Sequence, residues 1–371
     1  MKEHKKNYNN KALYSSKLSN EIVNKLAEFL NNLFKIKLSK KVYNAILYHV
    51  VNTIAENVVY RTNFKIKNNN RISWYLLPRN LTDFHSQVEN GNLDRLIQKK
   101  FLRHKTSLFD FKDYCFIKIF LKNIFIRKKI KKSNNDFNIK TQKVIVNDNV
   151  EFFKLDYRHK KEIKKILVIK DKWKISNVKK IDLTDGNRNE KLRSYFFKKL
   201  ETKNKEKNCI LSIIIDLIPS QYFEMFHENF KSVANSYKQI PKLIISNAHN
   251  WYSNDQFKFF LGFCLANKSK YIDVQINGSY FLTKYSPHYN VSKKFSDYFI
   301  SWGYKSKNEK IINLPCLYNC SLTKKKEKNA DKILYVGASI ADHFKGFWGS
   351  YLDGGKVVDY HKFRNIFFDK L

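Results

Sequence analysis

The chain predicts an α/β protein: a Rossmann-like parallel sheet with helices on both faces, preceded by a helical section. Short apolar runs recur at Ile166–Ile169, Ile210–Ile218, Leu243–Ser246, Tyr271–Ile276 and Phe295–Trp302. They are predominantly apolar and short enough to be strands buried on both faces. Segments of helical period separate them, which is the β-α-β order of a parallel sheet. No internal repeat is present.

The elements follow in order. Residues 1–17 are polar and basic and predict a disordered lead-in. Ile22, Leu26, Leu30, Leu33 and Phe34 then form a helical stripe. Ser39 is placed to cap a second helix, in which Val42, Ile46, Val50, Ile54 and Val58 recur every four residues. Tyr43, Leu47, Val51 and Val59 widen that stripe, so this helix is expected to be buried on most of its circumference. Residues 66–74 predict a loop and 91–102 a helix, whereas 133–164 carry no clear pattern. A helix is expected near 190–202, then a strand at Ile210–Ile218 that stops at Pro219, with Ser220 as the next helix cap. Ser253 and Gln256 have the spacing of a capping box before Phe257, Phe260, Leu261, Cys264 and Leu265. Strands at Tyr271–Ile276 and Phe295–Trp302 complete the sheet.

Domain boundaries follow from composition. The helical section and the Rossmann-like domain occupy 18–320, and the charged stretch 321–331 reads as a linker. Ile333–Gly337 has the pattern of a first strand, but only 34 residues follow Gly337. Residues 332–371 therefore predict the start of a truncated second domain, since a whole one needs about 100 residues or more.

Composition bounds the function. The 371 residues carry 71 Lys+Arg against 33 Asp+Glu, a net charge of +38, with 43% hydrophobic and 15% aromatic residues. That is a folded chain, not a disordered one. Of the basic residues 61 are Lys and 10 Arg, beside 41 Asn. A/T-rich codons explain such a bias, and the planar Arg fork that grips bases and phosphates is scarce. The Lys are spread over nearly every segment, which argues against specific nucleic-acid recognition. A non-enzymatic basic nucleic-acid-binding protein remains the alternative. Five Cys exclude a disulfide scaffold, and Cys316 and Cys320 form a lone CxxxC without the further ligands zinc needs. The N-terminus lacks the apolar core of a signal peptide. The longest uncharged helical stretch, Val42–Ala55, is too short to cross about 30 Å of hydrocarbon. The expected setting is cytoplasmic, with peripheral contact at the anionic inner face of the cell membrane.

Ligands of a parallel sheet bind beyond the carboxyl ends of its strands. Two polar clusters fall there: Ser246–Asn250, with Asn247 and His249, and Gln275–Tyr280, with Asn277 and Gly278. Side-chain amides and helix N-termini suit a phosphate or a sugar hydroxyl. His249 and His288 are the nearby general-base candidates. No P-loop, GxGxxG, zinc pair or nucleophile elbow occurs, and no cofactor or metal is expected.

At these residues the chain resembles a known family. Pro241–Asn247, Asp255–Phe259, Gln275–Tyr280 and the Ser296-Asp-Tyr-Phe-Ile-Ser-Trp-Gly303 run are similar to transferases encoded in bacterial surface-polysaccharide (O-antigen-type) gene clusters. That family is distantly related to glycerophosphate- and sugar-transferring enzymes of two Rossmann-like domains, the GT-B architecture. Leu18–Thr62 and Leu77–Phe84 extend the resemblance upstream. It implies a transferase of glycosyl or polyol-phosphate type, acting on a nucleotide-activated or lipid-linked anionic substrate. Asn247, Gln275, Asn277, Gly278 and Tyr280 would contact that substrate, and His249 or His288 would serve as the base. Two departures stand out. The family's turn reads Gln-His-Gly-Gly-x-Tyr-Gly; here Ile276 takes the His position, Asn277 the first Gly and Phe281 the last. The chain also stops about 40 residues into the C-terminal domain. Both suggest a truncated or inactive copy, expected to be catalytically incompetent alone.

Overall fold

The computed structural model describes residues 2–61, 145–153, 163, 173–276, 280–281, 287–304, 306–315 and 365–366. The expectations for 66–74, 91–102, Ile166–Ile169, Cys316, Cys320, the 321–331 linker and the Ile333–Gly337 strand lie outside them.

Six strands make one parallel sheet: β1 (Ile145–Phe153), β2 (Trp173–Ser176), β3 (Gln239–Asn247), β4 (Lys270–Val274), β5 (Tyr298–Trp302) and β6 (Ile311–Leu314). Their order is β2-β1-β3-β4-β5-β6, every neighbouring pair parallel. The chain leaves β1 to one side for β2, then returns to the other side for β3. The switch point therefore falls between β1 and β3.

The helices are α1 (Lys2–Phe34), α2 (Lys40–Tyr43), α3 (His49–Arg61), α4 (Glu190–Leu200), α5 (Lys205–Leu217), α6 (Phe226–Ser236), α7 (Ala248–Ser253), α8 (Asp255–Ala266) and α9 (Pro287–Ser292). A π-helical turn, Asn44–Tyr48, joins α2 to α3. The 40–61 helix is buried nearly all round, as its pattern predicts. The main core lies between these helices and the near face of the sheet, where Ile244 and Tyr271 meet Phe257, Phe260 and Trp251. The far face carries a second apolar cluster, Val150, Phe152, Ile245, Ile272, Val274, Ile300 and Leu314, with Ile163 against it. Alternation along each strand sorts residues between the two faces.

Several expectations are corrected. Residues 2–17 are not a disordered lead-in but the first turns of α1. Tertiary contact orders them: Lys11 Nζ donates to the Tyr60 carbonyl at 3.2 Å, and Ser16 Oγ lies 3.0 Å from the Tyr48 hydroxyl. Ala12 and Ser15 are fully buried. Ile210–Ile218 is not a strand. It lies in α5, capped by the Asn204 side chain, which accepts from Lys207 N at 2.9 Å. A run buried on all sides has no period to distinguish helix from strand, and burial against α3 and α4 overrides its β propensity. Ser220 opens a 3₁₀ turn instead of capping a helix, and α6 begins six residues later. The capping box is not formed. Asn254 caps α8 by accepting from Phe257 N at 2.9 Å, while Ser253 Oγ donates to the His249 carbonyl and Gln256 reaches the Ile181 carbonyl.

The Ser-Asp-x-x-x-Ser-Trp-Gly run is explained by the sheet. Asp297 accepts from Tyr271 N at 2.9 Å and pairs with Lys41 at 2.8 Å, fixing the start of β4 to α2. Ser301 Oγ donates to the Tyr304 carbonyl at 2.9 Å. Gly303 turns the chain at φ +74°, where a side chain would be strained. Apart from Gly303, which closes β5, these side chains frame the sheet.

Candidate functional site at the carboxyl ends of β3, β4 and β5

β3 ends on Ser246 and Asn247, both buried. The Asn247 side chain accepts from His249 N at 3.1 Å and so caps α7. Asn250, one turn on, donates to the Phe153 carbonyl at 3.0 Å and to Ser246 Oγ, stitching α7 across the switch point to the end of β1. The expected substrate amide at Asn247 is thus already a structural cap. His249 projects from the first turn of α7 and is exposed.

β4 places Asp273 on the near face with no exposed surface. Its Oδ1 accepts from Tyr271 Oη at 2.9 Å and from Trp251 Nε1 at 3.2 Å. Its Oδ2 meets no donor at full hydrogen-bond geometry among the described residues. Burial pushes this carboxyl up to about 6, against the lowering pull of Ser292, Tyr271 and Trp251. Beyond β4, Gln275 is buried, and its Oε1 accepts from Trp302 N at 2.7 Å, continuing the β4–β5 pairing by a side chain.

Tyr280 folds back over this ground. It is 4% exposed, and its hydroxyl has no hydrogen-bond partner among the described residues. Its ring stacks on His288 at 5.2 Å and on Phe299 at 5.6 Å. Burial, then the nearby Asp273 charge, raise the Tyr280 hydroxyl well above its ordinary value. His288 also meets the Trp251 ring edge at 6.3 Å. Burial, then repulsion from His249, lower His288 to about 4, so it is neutral at physiological pH. The structure thus gathers His249, His288, Tyr280, Asp273 and Trp251 at one place. Gln275 and Asn247 flank them with their polar atoms engaged. Asn277 and Gly278 lie outside the described residues.

Asp273, Tyr271 and Trp251 were not anticipated as site residues. The signal was an Asp inside an otherwise apolar strand, since a buried carboxylate is rare unless paired or functional. A cavity of about 520 Å³ lies elsewhere, lined by Glu151, Asn177, Lys179, Tyr237, Gln239 and Phe260 among others, along the near face of β1. It does not include the His249–Asp273–Tyr280 cluster. Among the described residues no group of three His, Cys, Asp or Glu is placed to hold a metal. Cys209 and Cys264 are both buried. No described helix is long and apolar enough to cross a membrane.

A parallel sheet with a switch point, flanked by helices, defines a Rossmann-like α/β protein. The chain matches the profile of the LIC12162 family transferase over residues 2–371, and it belongs to that family. The match takes in residues 321–371 as well as the sheet. No curated protein and no solved structure matches the chain.

Proposed function

We propose that this transferase moves a sugar or polyol-phosphate unit from a nucleotide-activated or lipid-linked donor onto a hydroxyl of a surface-polysaccharide precursor. The observation that carries the reading is the His249–Asp273–Tyr280 cluster at the carboxyl ends of β3 and β4, in a chain of a transferase family. In this chemistry a base takes the acceptor proton while fixed donors stabilise the leaving phosphate. His249 is the base in this reading, because it is exposed and adjacent to the cluster. His288, held near 4, is too weakly basic at neutral pH and serves to hold the Tyr280 ring by stacking. Tyr280 offers the substrate its unpartnered hydroxyl once its neighbours shift to admit it. The GT-B architecture and the O-antigen-type pathway extend this reading, supported by the residues that carry the resemblance.

The test is release of nucleotide by the purified chain from UDP-, GDP-, ADP- and CDP-sugars and CDP-glycerol, with mixed short glycans as acceptors. The active reading predicts turnover, which His249→Gln should lower about 10²- to 10⁴-fold. A folded chain that releases nothing from any donor is what the inactive-copy expectation requires, and it would overturn the active reading.

A further inference from the structure

The rings beyond β4 and β5 form a second feature, separate from the Asp273 network. Phe281 adopts φ +63°, a left-handed conformation that favours glycine. A bulky residue persists there only when its surroundings hold it, and such strain collects at functional positions. What holds it is aromatic. Its ring lies flat on Tyr304, with centroids 4.0 Å apart and planes 6° apart. It meets Tyr289 at 4.9 Å and Phe299 edge-on at 5.9 Å. Phe299 in turn contacts Tyr280, so these rings adjoin the candidate site.

Unlike a core cluster, this one reaches solvent. Tyr304 is 40% exposed, and Phe281 and Tyr289 are half-buried. Asn308 Nδ2 donates to the Tyr289 hydroxyl at 3.2 Å, which draws the β5–β6 connection up to α9. That connection exposes Lys307 and Lys310 against one acid, Glu309. Lys293 sits 5.6 Å from the Tyr289 ring centroid. The exposed Tyr304 ring is backed by Phe281, and the cations lie around the next ring, Tyr289; the patch as a whole suits a ligand with one apolar ring face and one anionic group. A pyranose bearing a phosphate has both: its C–H face lies on the ring and its phosphate meets the ammonium groups.

We propose that Tyr304, backed by Phe281, is the platform for the ring of a phosphorylated sugar whose phosphate meets Lys293, Lys307 and Lys310. This rests on the transferase reading and deepens it by naming a substrate class. Replacement of the family glycine by Phe281 is then a gain of binding surface, not decay.

The test is equilibrium binding to the full chain by calorimetry, with hexose 1-phosphates, the free hexoses, glycerol 3-phosphate and 5′-mononucleotides as probes. Hexose 1-phosphates should bind more tightly than free hexoses or glycerol 3-phosphate. Tyr304→Ala should weaken them about tenfold or more, the loss of one ring contact, and Tyr304→Phe should not. If Tyr304→Ala unfolds the chain, Tyr304→Leu keeps the apolar bulk and is the variant compared. Equal binding of glycerol 3-phosphate and hexose phosphates, unmoved at Tyr304, would reduce the patch to bare charge and overturn the proposal. Tighter, Tyr304-dependent binding of mononucleotides would overturn it in favour of a base, and no binding at all would also overturn it. Binding with the expected Tyr304 dependence but no nucleotide release leaves the platform standing and removes the transferase reading. Release that Tyr304→Ala leaves unchanged does the reverse.

Discussion

Asp273 is the residue on which the electrostatics of the site turn. Its carboxyl is fully buried, and its folded-state value is near 6, against 3.8 when solvated. Below pH 3.8 it is protonated in both folded and unfolded chains, and its burial then carries no charge penalty. Between the two values the unfolded chain sheds the proton first, so stability falls as pH rises and levels off above about 6. Asp273→Asn keeps an acceptor for Tyr271 and Trp251 but cannot ionise. Its stability relative to the native chain should therefore grow between pH 4 and pH 8, by about 1–3 kcal/mol. Chemical denaturation at the two pH values measures this, and a flat difference would mean that Asp273 is not held protonated. The same residue shows where sequence reading stops. Tyr271–Ile276 is legible as a strand, but which face Asp273 takes depends on the position of Trp251, 22 residues earlier in the chain. Asn247 and Gln275 were legible as polar groups at strand ends. Their engagement as a helix cap and as a link to Trp302 depends on contacts that no local pattern encodes.

At the scale of elements, one close approach sets how the helical section meets the sheet domain. Gly262 in α8 faces the π turn, and a Cβ added there would sit 2.5 Å from Ile46 Cδ1 and 2.6 Å from Ile46 Cγ1. Gly262→Ala should destabilise the chain by about 1–3 kcal/mol through overpacking. Adding Ile46→Val removes the crowding Cδ1 atom and should recover part of that loss. Thermal unfolding of the single and double variants measures the coupling; additive losses would contradict the contact. A second joint is the buried Arg193 of α4. Its Nε and Nη2 bond the Glu224 carboxylate at 2.6 and 2.7 Å, and its guanidinium lies 4.9 Å from the Phe223 ring centroid. Glu224→Ala leaves that cation buried without its bidentate partner and should cost about 3–5 kcal/mol. A loss below 1 kcal/mol in urea unfolding would show that the pair is dispensable. Helices with a clear stripe, such as α8 and 40–61, were legible because one face decides them. The 210–218 run was not, being apolar all round, and β1 was missed because Asn147, Asp148 and Asn149 interrupt it where its register with β3 shifts.

For the whole molecule, the charge of +38 makes contact with an anionic surface the expected long-range behaviour. Flotation with phosphatidylserine-containing liposomes should recover the chain at low salt and release it as salt rises, each well-placed Lys contributing about 1 kcal/mol. Recovery indifferent to salt would exclude a charge-driven association. The parallel sheet itself was legible from buried runs separated by helical ones, whereas strand order was not, because it depends on which side of β1 each crossover passes. That order motivates the central proposal, that a ligand binds at the carboxyl ends of β3, β4 and β5. Hydrogen exchange read by mass spectrometry, with and without the same activated sugars and CDP-glycerol at saturation, tests it most directly. Ligand binding there should add protection within Ser246–Trp251, Gln275–Phe281 and Trp302–Tyr304. Protection confined to the cavity around Glu151, Tyr237 and Gln239, or none with any of these ligands, would contradict it.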